Sequence, residues 1–110
     1  MHKQIEQQIQ EIQFLEQASQ SILMQKQAFQ IEFDETIKSL ESVKDSKGEV
    51  YKIVGQLMIK TPSEDVVLEL TKKKEIIELR LKNLEQQEEK MMQKMDELRN
   101  AISSTSSKNS

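Results

Sequence analysis

EVYKIVGQLMIKTP, the segment from Glu49 to Pro62, decides how the rest of the chain is read. β-Branched and large apolar residues (Val50, Tyr51, Ile53 and Val54 before, Leu57, Met58 and Ile59 after) flank the pair Gly55-Gln56. That spacing predicts a β-hairpin in which Gly55 supplies the turn's unusual backbone angles. The next four residues, Thr61-Pro62-Ser63-Glu64, have the form of a capping box. They predict a helix start with Thr61 as N-cap, Pro62 at the first helical position and Glu64 reaching back to the cap. The only Pro and both Gly lie between residues 48 and 62, so two uninterrupted arms remain on either side. The expected organisation is a helix over 1–47, a hairpin over 48–61, a second helix over 62–102 and a disordered polar tail, SSTSSKNS, over 103–110.

In the second arm apolar residues recur in steps of four and three through Val67, Leu70, Lys74, Ile77, Leu81, Leu84, Glu88, Met91, Met95, Leu98 and Ile102. Only Lys74 and Glu88 break the pattern. A stripe this narrow, kept up over about five heptads, is a coiled-coil seam and not the broad face of a globular helix. Glu69 with Lys73 and Glu78 with Lys82 stand at the favourable i,i+4 order on the other faces. The first arm carries the same register more weakly, through Leu15, Ser19, Ile22, Lys26, Phe29, Phe33, Thr36, Leu40 and Val43. Ile5, Ile9 and Ile12 precede it and step by three into Leu15, the mark of a stammer. Ten Gln fall within residues 1–30, but the apolar spacing persists through them, so a Gln-faced helix is expected there.

Two arms of similar length joined by a short insert fold back on each other. Pairing about the insert sets residue i opposite a residue near 108 minus i, which brings Lys74 near Asp34 and Glu35. The fold class is mainly α, a long antiparallel two-helix coiled coil with one central β-hairpin. An isolated hairpin is marginal in water, and this one exposes apolar side chains on both faces and unpaired groups at its edges. Joining hairpins of other chains into a larger sheet or closed barrel removes those edges, so the chain is expected to oligomerise through its middle. At the free tip of the arms Ile5, Ile9 and Ile12 meet Met91, Met92, Met95, Leu98 and Ile102. Flexible Met side chains suit a surface that accepts many shapes, and Met92 lies one residue off the seam.

Composition narrows the function. Hydrophobic residues make up 35% of the 110 and aromatics 4%, a thin core for a globule. Charge is spread along the chain; the Lys72-Lys73-Lys74 run is flanked by Glu69 and Glu75, so no basic footprint for nucleic acid appears. With no Cys, disulfides, thiolate metal sites and cysteine nucleophiles are excluded. His2 is the lone His, and there is no phosphate loop or metal-spaced cluster, so neither catalytic nor metal-ligating residues are assigned and no cofactor is expected. The carboxylates Glu85, Glu88 and Glu89 sit on helix surfaces and form no acid-base set. No leader opens the chain and no apolar run nears the ~20 residues that span a bilayer, so a soluble cytoplasmic protein without membrane contact is expected.

A helix, a single central hairpin of the form YKIVGQLMIKTP and a heptad helix containing ELRLKNLEQQEEKMMQKMDEL together resemble the β-class subunits of prefoldin, the archaeal type above all, over residues 1–102. The resemblance implies a heterohexamer of two α and four β subunits, with hairpins forming a β-barrel platform and coiled coils hanging from it. It also implies tips that hold unfolded client proteins without ATP and deliver them to a group II chaperonin. On this chain assembly falls to Val50, Tyr51, Ile53, Val54, Gly55, Leu57, Met58 and Ile59. Client binding falls to Ile5, Ile9, Ile12, Met91, Met92, Met95, Leu98 and Ile102. The alternative is a structural tether that binds one partner helix through the seam, and it has no use for a sticky hairpin at its bend.

Overall fold

The computed structural model describes residues 2–108, with side chains described for residues 3–105. Four elements follow in order: α1 (His2–Asp45), β1 (Glu49–Val54), β2 (Leu57–Pro62) and α2 (Ser63–Lys108). The chain falls into two compact units, one of Met1–Gln27 with Lys82–Ser110 and the other of Ala28–Leu81.

Helix α1 runs for 44 residues because nothing in it breaks a helix. It ends where Ser46 N–H donates to the Val43 carbonyl at 3.1 Å and Gly48 takes a φ of 98°. That positive φ suits Gly alone, and it turns the chain into β1. The Gly48 carbonyl then accepts the Ser63 N–H at 2.9 Å, which ties the two ends of the hairpin together.

β1 and β2 pair antiparallel from Glu49 with Pro62 to Val54 with Leu57. Gly55 has a φ of 61° and among the described residues no non-glycine has a positive φ, so the two-residue turn follows the type II′ pattern. The pairing corrects the expected helix start. Thr61 and Pro62 end β2, and the Thr61 hydroxyl donates to the Ile59 carbonyl instead of accepting from α2. Pro62 suits the last position of an edge strand, where no ladder bond asks for its missing N–H. The first turn of α2 carries Glu64 and Asp65, which favour the positive end of the helix dipole.

The tail is also corrected. Residues 103–108 continue α2, with the Thr105 hydroxyl bonded to the Ala101 carbonyl at 2.9 Å. No Gly or Pro stops the helix after Ile102, and Thr105 falls on the next seam position and is half-buried there. Asn109 and Ser110 lie outside the described residues.

Within each unit, segments of α1 and α2 lie side by side and antiparallel. In the unit of residues 28–81, Arg80 stacks over the Phe29 ring at 5.5 Å and Glu32 pairs with Lys73 at 3.5 Å. Glu11 with Lys94 at 3.2 Å, Glu16 with Arg99 at 3.3 Å and Lys26 with Glu88 at 3.2 Å link the segments of the other unit. In both units residue i faces a residue near 110 minus i. Leu15, Ile22, Leu40, Ile77, Leu84 and Met95 are buried, and every seam position read from Leu15 to Val43 and from Val67 to Ile102 is buried or half-buried. Among the described residues no side chain is completely shielded, the mark of a two-helix seam open on both sides.

The polar seam slots are resolved one by one. Thr36 is 3% exposed and its hydroxyl bonds the Glu32 carbonyl at 2.7 Å. The register sets it opposite Lys74, where a small residue makes room for the lysine stem. Lys74 pairs with Glu78 at 3.8 Å and not with Asp34 or Glu35, because Asp34 and Glu35 point away from the seam and Glu78 is one turn along the same helix. The expected Glu69–Lys73 and Glu78–Lys82 pairs do not form, since Glu69 goes to Lys52 of the hairpin, Lys73 to Glu32 and Glu78 to Lys74. The stammer is absent as well. Gln8, not Ile9, takes the slot between Ile5 and Ile12, which continues an unbroken alternation of three and four into Leu15.

Candidate functional site

The hairpin register sorts its side chains into two faces, because paired residues point the same way. One face holds Tyr51 and Ile53 with Met58 and Lys60. All three apolar members are exposed, Ile53 by 73%. The other face holds Val50, Lys52 and Val54 with Leu57, Ile59 and Thr61. At its base Val50 and Thr61 are half-buried and the Lys52 amine reaches Glu69 of α2. Farther out Val54, Leu57 and Ile59 are exposed. Six large apolar side chains thus stand in solvent on a sheet of two strands, each of which has an unpaired edge. Two ion pairs, Lys52–Glu69 and Lys60–Glu49 at 2.8 Å, lie among them, so the hairpin is anchored at its base and uncovered above it.

The eight residues singled out for client binding, all in the unit of residues 1–27 and 82–110, divide sharply. Met95 is 7% exposed, and Ile5, Ile12, Met91, Leu98 and Ile102 are half-buried, all six on seam positions. They hold the helices together in this structure. Ile9 and Met92 are exposed, by 43% and 55%, because each falls one residue past a seam slot. Gln8, which takes the slot that Ile9 leaves, has its Oε1 buried without a hydrogen-bond partner.

Three further exposed apolar residues of the same unit are Phe14, Leu23 and Met24. The signal for them was available: each is apolar and off the heptad stripe. With α1 counted from Ile5 as position a and α2 from Val67 as position a, Leu23 and Met92 both occupy position e. Glu16 and Arg99 form their 3.3 Å pair from that same position, so the register sets Leu23 across the seam from Met92 one heptad along. Phe14, at position c, is 69% exposed. The unit of residues 28–81 carries its own open groove, lined by Val43, Val67, Leu68, Ser46 and Ser63 near the hairpin base.

The chemistry on offer is adhesive. Among the described residues no three His, Asp or Glu side chains gather as metal ligands, and no helix is long and apolar enough to cross a membrane.

Relatives with the same plan are found among archaea. A prefoldin subunit β of Thermococcus kodakarensis is 36% identical over 92% of this chain and 88% of its own. That of Thermococcus onnurineus is 42% identical over 79% and 77%, and that of Archaeoglobus fulgidus is 35% identical over 86% and 83%. The crystal structure of the prefoldin β subunit from Thermococcus strain KS-1 superposes with a TM-score of 0.87 at 36% identity, covering 93% of this chain and 91% of that one. The family model described as prefoldin subunit matches residues 2–108, and with the hairpin and the paired helices in place over that same span, the chain belongs to the prefoldin family, among its β subunits.

Proposed function

We propose that this chain is the β-type building block of an ATP-independent holdase, which assembles through its hairpin with an α-class subunit and further copies of itself. The arrangement we favour is two α and four β chains, with unfolded polypeptides held on the helical arms and passed to a group II chaperonin. The observation that carries this reading is the hairpin: six exposed apolar side chains and two open strand edges have no partner among the described residues. Membership of the prefoldin family supports the chaperone role.

Capture needs no pocket and no bond-making. Several arms in one assembly each offer a weak apolar contact, and multivalency raises the affinity for a long, flexible client. Among the described residues of the unit of 1–27 and 82–110, Ile9, Phe14, Leu23, Met24 and Met92 are the exposed apolar contacts, since the seam residues beside them are occupied with each other.

Light scattering after gel filtration tests the assembly. Mixing with an α-class prefoldin subunit should give a defined heterohexamer, and Ile53→Lys with Leu57→Lys should abolish it while far-UV helicity is retained. The assembled protein should then suppress aggregation of a chemically denatured client without nucleotide. A chain that stays monomeric both alone and when mixed with the α-class subunit, or one that binds a single folded partner saturably and protects no client, refutes the proposal in favour of a tether.

A further inference from the structure

We infer that the edge of the helix pair marked by Leu23 and Met92 is a capture surface selective for polypeptide segments that combine apolar and cationic residues. The inference rests on the holdase reading and names the chemistry of the segment held. Leu23 and Met92 are both about half exposed and face each other across the seam at position e. Glu85 and Glu89 share that edge of α2, at positions e and b. Both are exposed, and neither has an ion-pair partner within 4 Å among the described residues. The cations on the edge are Arg99 and Lys82. Arg99 is already held by Glu16 at 3.3 Å and Asp96 at 3.7 Å, and Lys82 makes no ion pair with Glu85.

The arrangement is unfavourable for the isolated helix. Like charges at i,i+4, as Glu85 and Glu89 are, repel, and a coiled coil built for stability places opposite charges there. On the opposite edge a charge of this kind is met, since Lys94 is bound to Glu11 across the seam at 3.2 Å and stands three residues before Glu97. An apolar pair rimmed by two unneutralised carboxylates complements a strand or helix with apolar side chains flanked by Lys or Arg. It repels one flanked by Asp or Glu.

The test uses the full chain and two fluorescein-labelled peptides that share one apolar core and differ in having Lys or Glu at the flanks, with anisotropy read at low and high salt. The Lys-flanked peptide should bind about tenfold more tightly at low salt, the ratio that two exposed ion pairs of ordinary strength supply, and the preference should shrink at high salt. Glu85→Gln with Glu89→Gln should remove most of that preference and leave helicity unchanged. Leu23→Ser with Met92→Ser should weaken both peptides. Equal binding of the two peptides, or a preference untouched by both variants, overturns the inference. If the assembled protein still suppresses client aggregation in that case, the holdase reading stands without it. If it binds neither peptide and protects no client, both fall.

Discussion

Lys26 and Glu88 occupy seam slots on opposite helices and meet at 3.2 Å, each side chain about a quarter exposed. The register sets Lys26 opposite Leu84 and Glu88 opposite Ile22, which are 7% and 4% exposed, so an aliphatic side chain in either slot would be almost wholly buried. Burying two Leu there contributes about 2 kcal/mol each. The ion pair, reached by water on one side, contributes at most about 1 kcal/mol. Replacing both residues by Leu should therefore stabilise the helix pair by about 2–3 kcal/mol, as exchange of partly buried ion pairs for apolar packing commonly does. That corresponds to a rise in melting temperature on the order of 10 °C. Glu88→Leu alone should gain much less, because it leaves the Lys26 amine to find water along the seam edge. The assay is thermal unfolding followed by circular dichroism at fixed protein concentration, since assembly contributes to the midpoint. A double variant no more stable than the parent, or a single variant as stable as the double, refutes the reasoning. Success would also explain why the pair is present: a charged layer penalises any slip of the seam that separates Lys26 from Glu88, a gain in register at a cost in stability.

Three other outcomes follow from single positions. Gln8→Leu should stabilise by about 1–3 kcal/mol in the same melt, because it removes a buried carbonyl that lacks a donor from a slot of the apolar stripe. Gly55→Ala should weaken the hairpin by about 1–2 kcal/mol and lower the assembled fraction in light scattering at limiting concentration. No atom lies within 4 Å of an added Cβ, so the positive φ is the whole cost. Met95→Ser should cost about 2–4 kcal/mol of stability, whereas Met92→Ser should stay within about 0.5 kcal/mol and show instead in client capture.

The seam and the hairpin were legible because each rests on a period that physics enforces: 3.5 residues for a helix that keeps one partner and two for a strand. Every slot read from Leu15 to Val43 and from Val67 to Ile102 is covered, the polar ones included. Hydrophobicity misled where geometry and chemistry disagreed. Ile9 looked like a seam residue because it is apolar, yet the helix repeat puts Gln8 inside. Thr61-Pro62 has the composition of a cap, but strand pairing from Glu49 reached it first. The Ser-rich end lacks apolar residues, yet nothing in it stops a helix already under way. The exposed apolar residues of the arms were the hardest to read, since a stripe found by periodicity is by construction the stripe that gets buried. The apolar residues left in solvent are those the period does not explain, Phe14, Leu23, Met24 and Met92 among them.

That division bears on why the hairpin calls for several partners and not one. Its six exposed apolar side chains, between about half and three quarters uncovered, would contribute roughly 1–1.5 kcal/mol each if buried, or about 6–9 kcal/mol per chain. Association costs about 4–15 kcal/mol in lost translational and rotational freedom before any side chain is ordered. A two-chain contact covers only one face or one edge of each hairpin and so recovers a fraction of the gain against the full cost of one association. It also leaves an unpaired strand edge on either side. Each chain added to a closed ring covers a second edge and more of the second face, and the last addition closes two edges at once. The hairpin is therefore poorly served by a dimer and well served by closure, whereas the helices, whose seam is satisfied within one chain, gain nothing from assembly and stay free to present their outer edges.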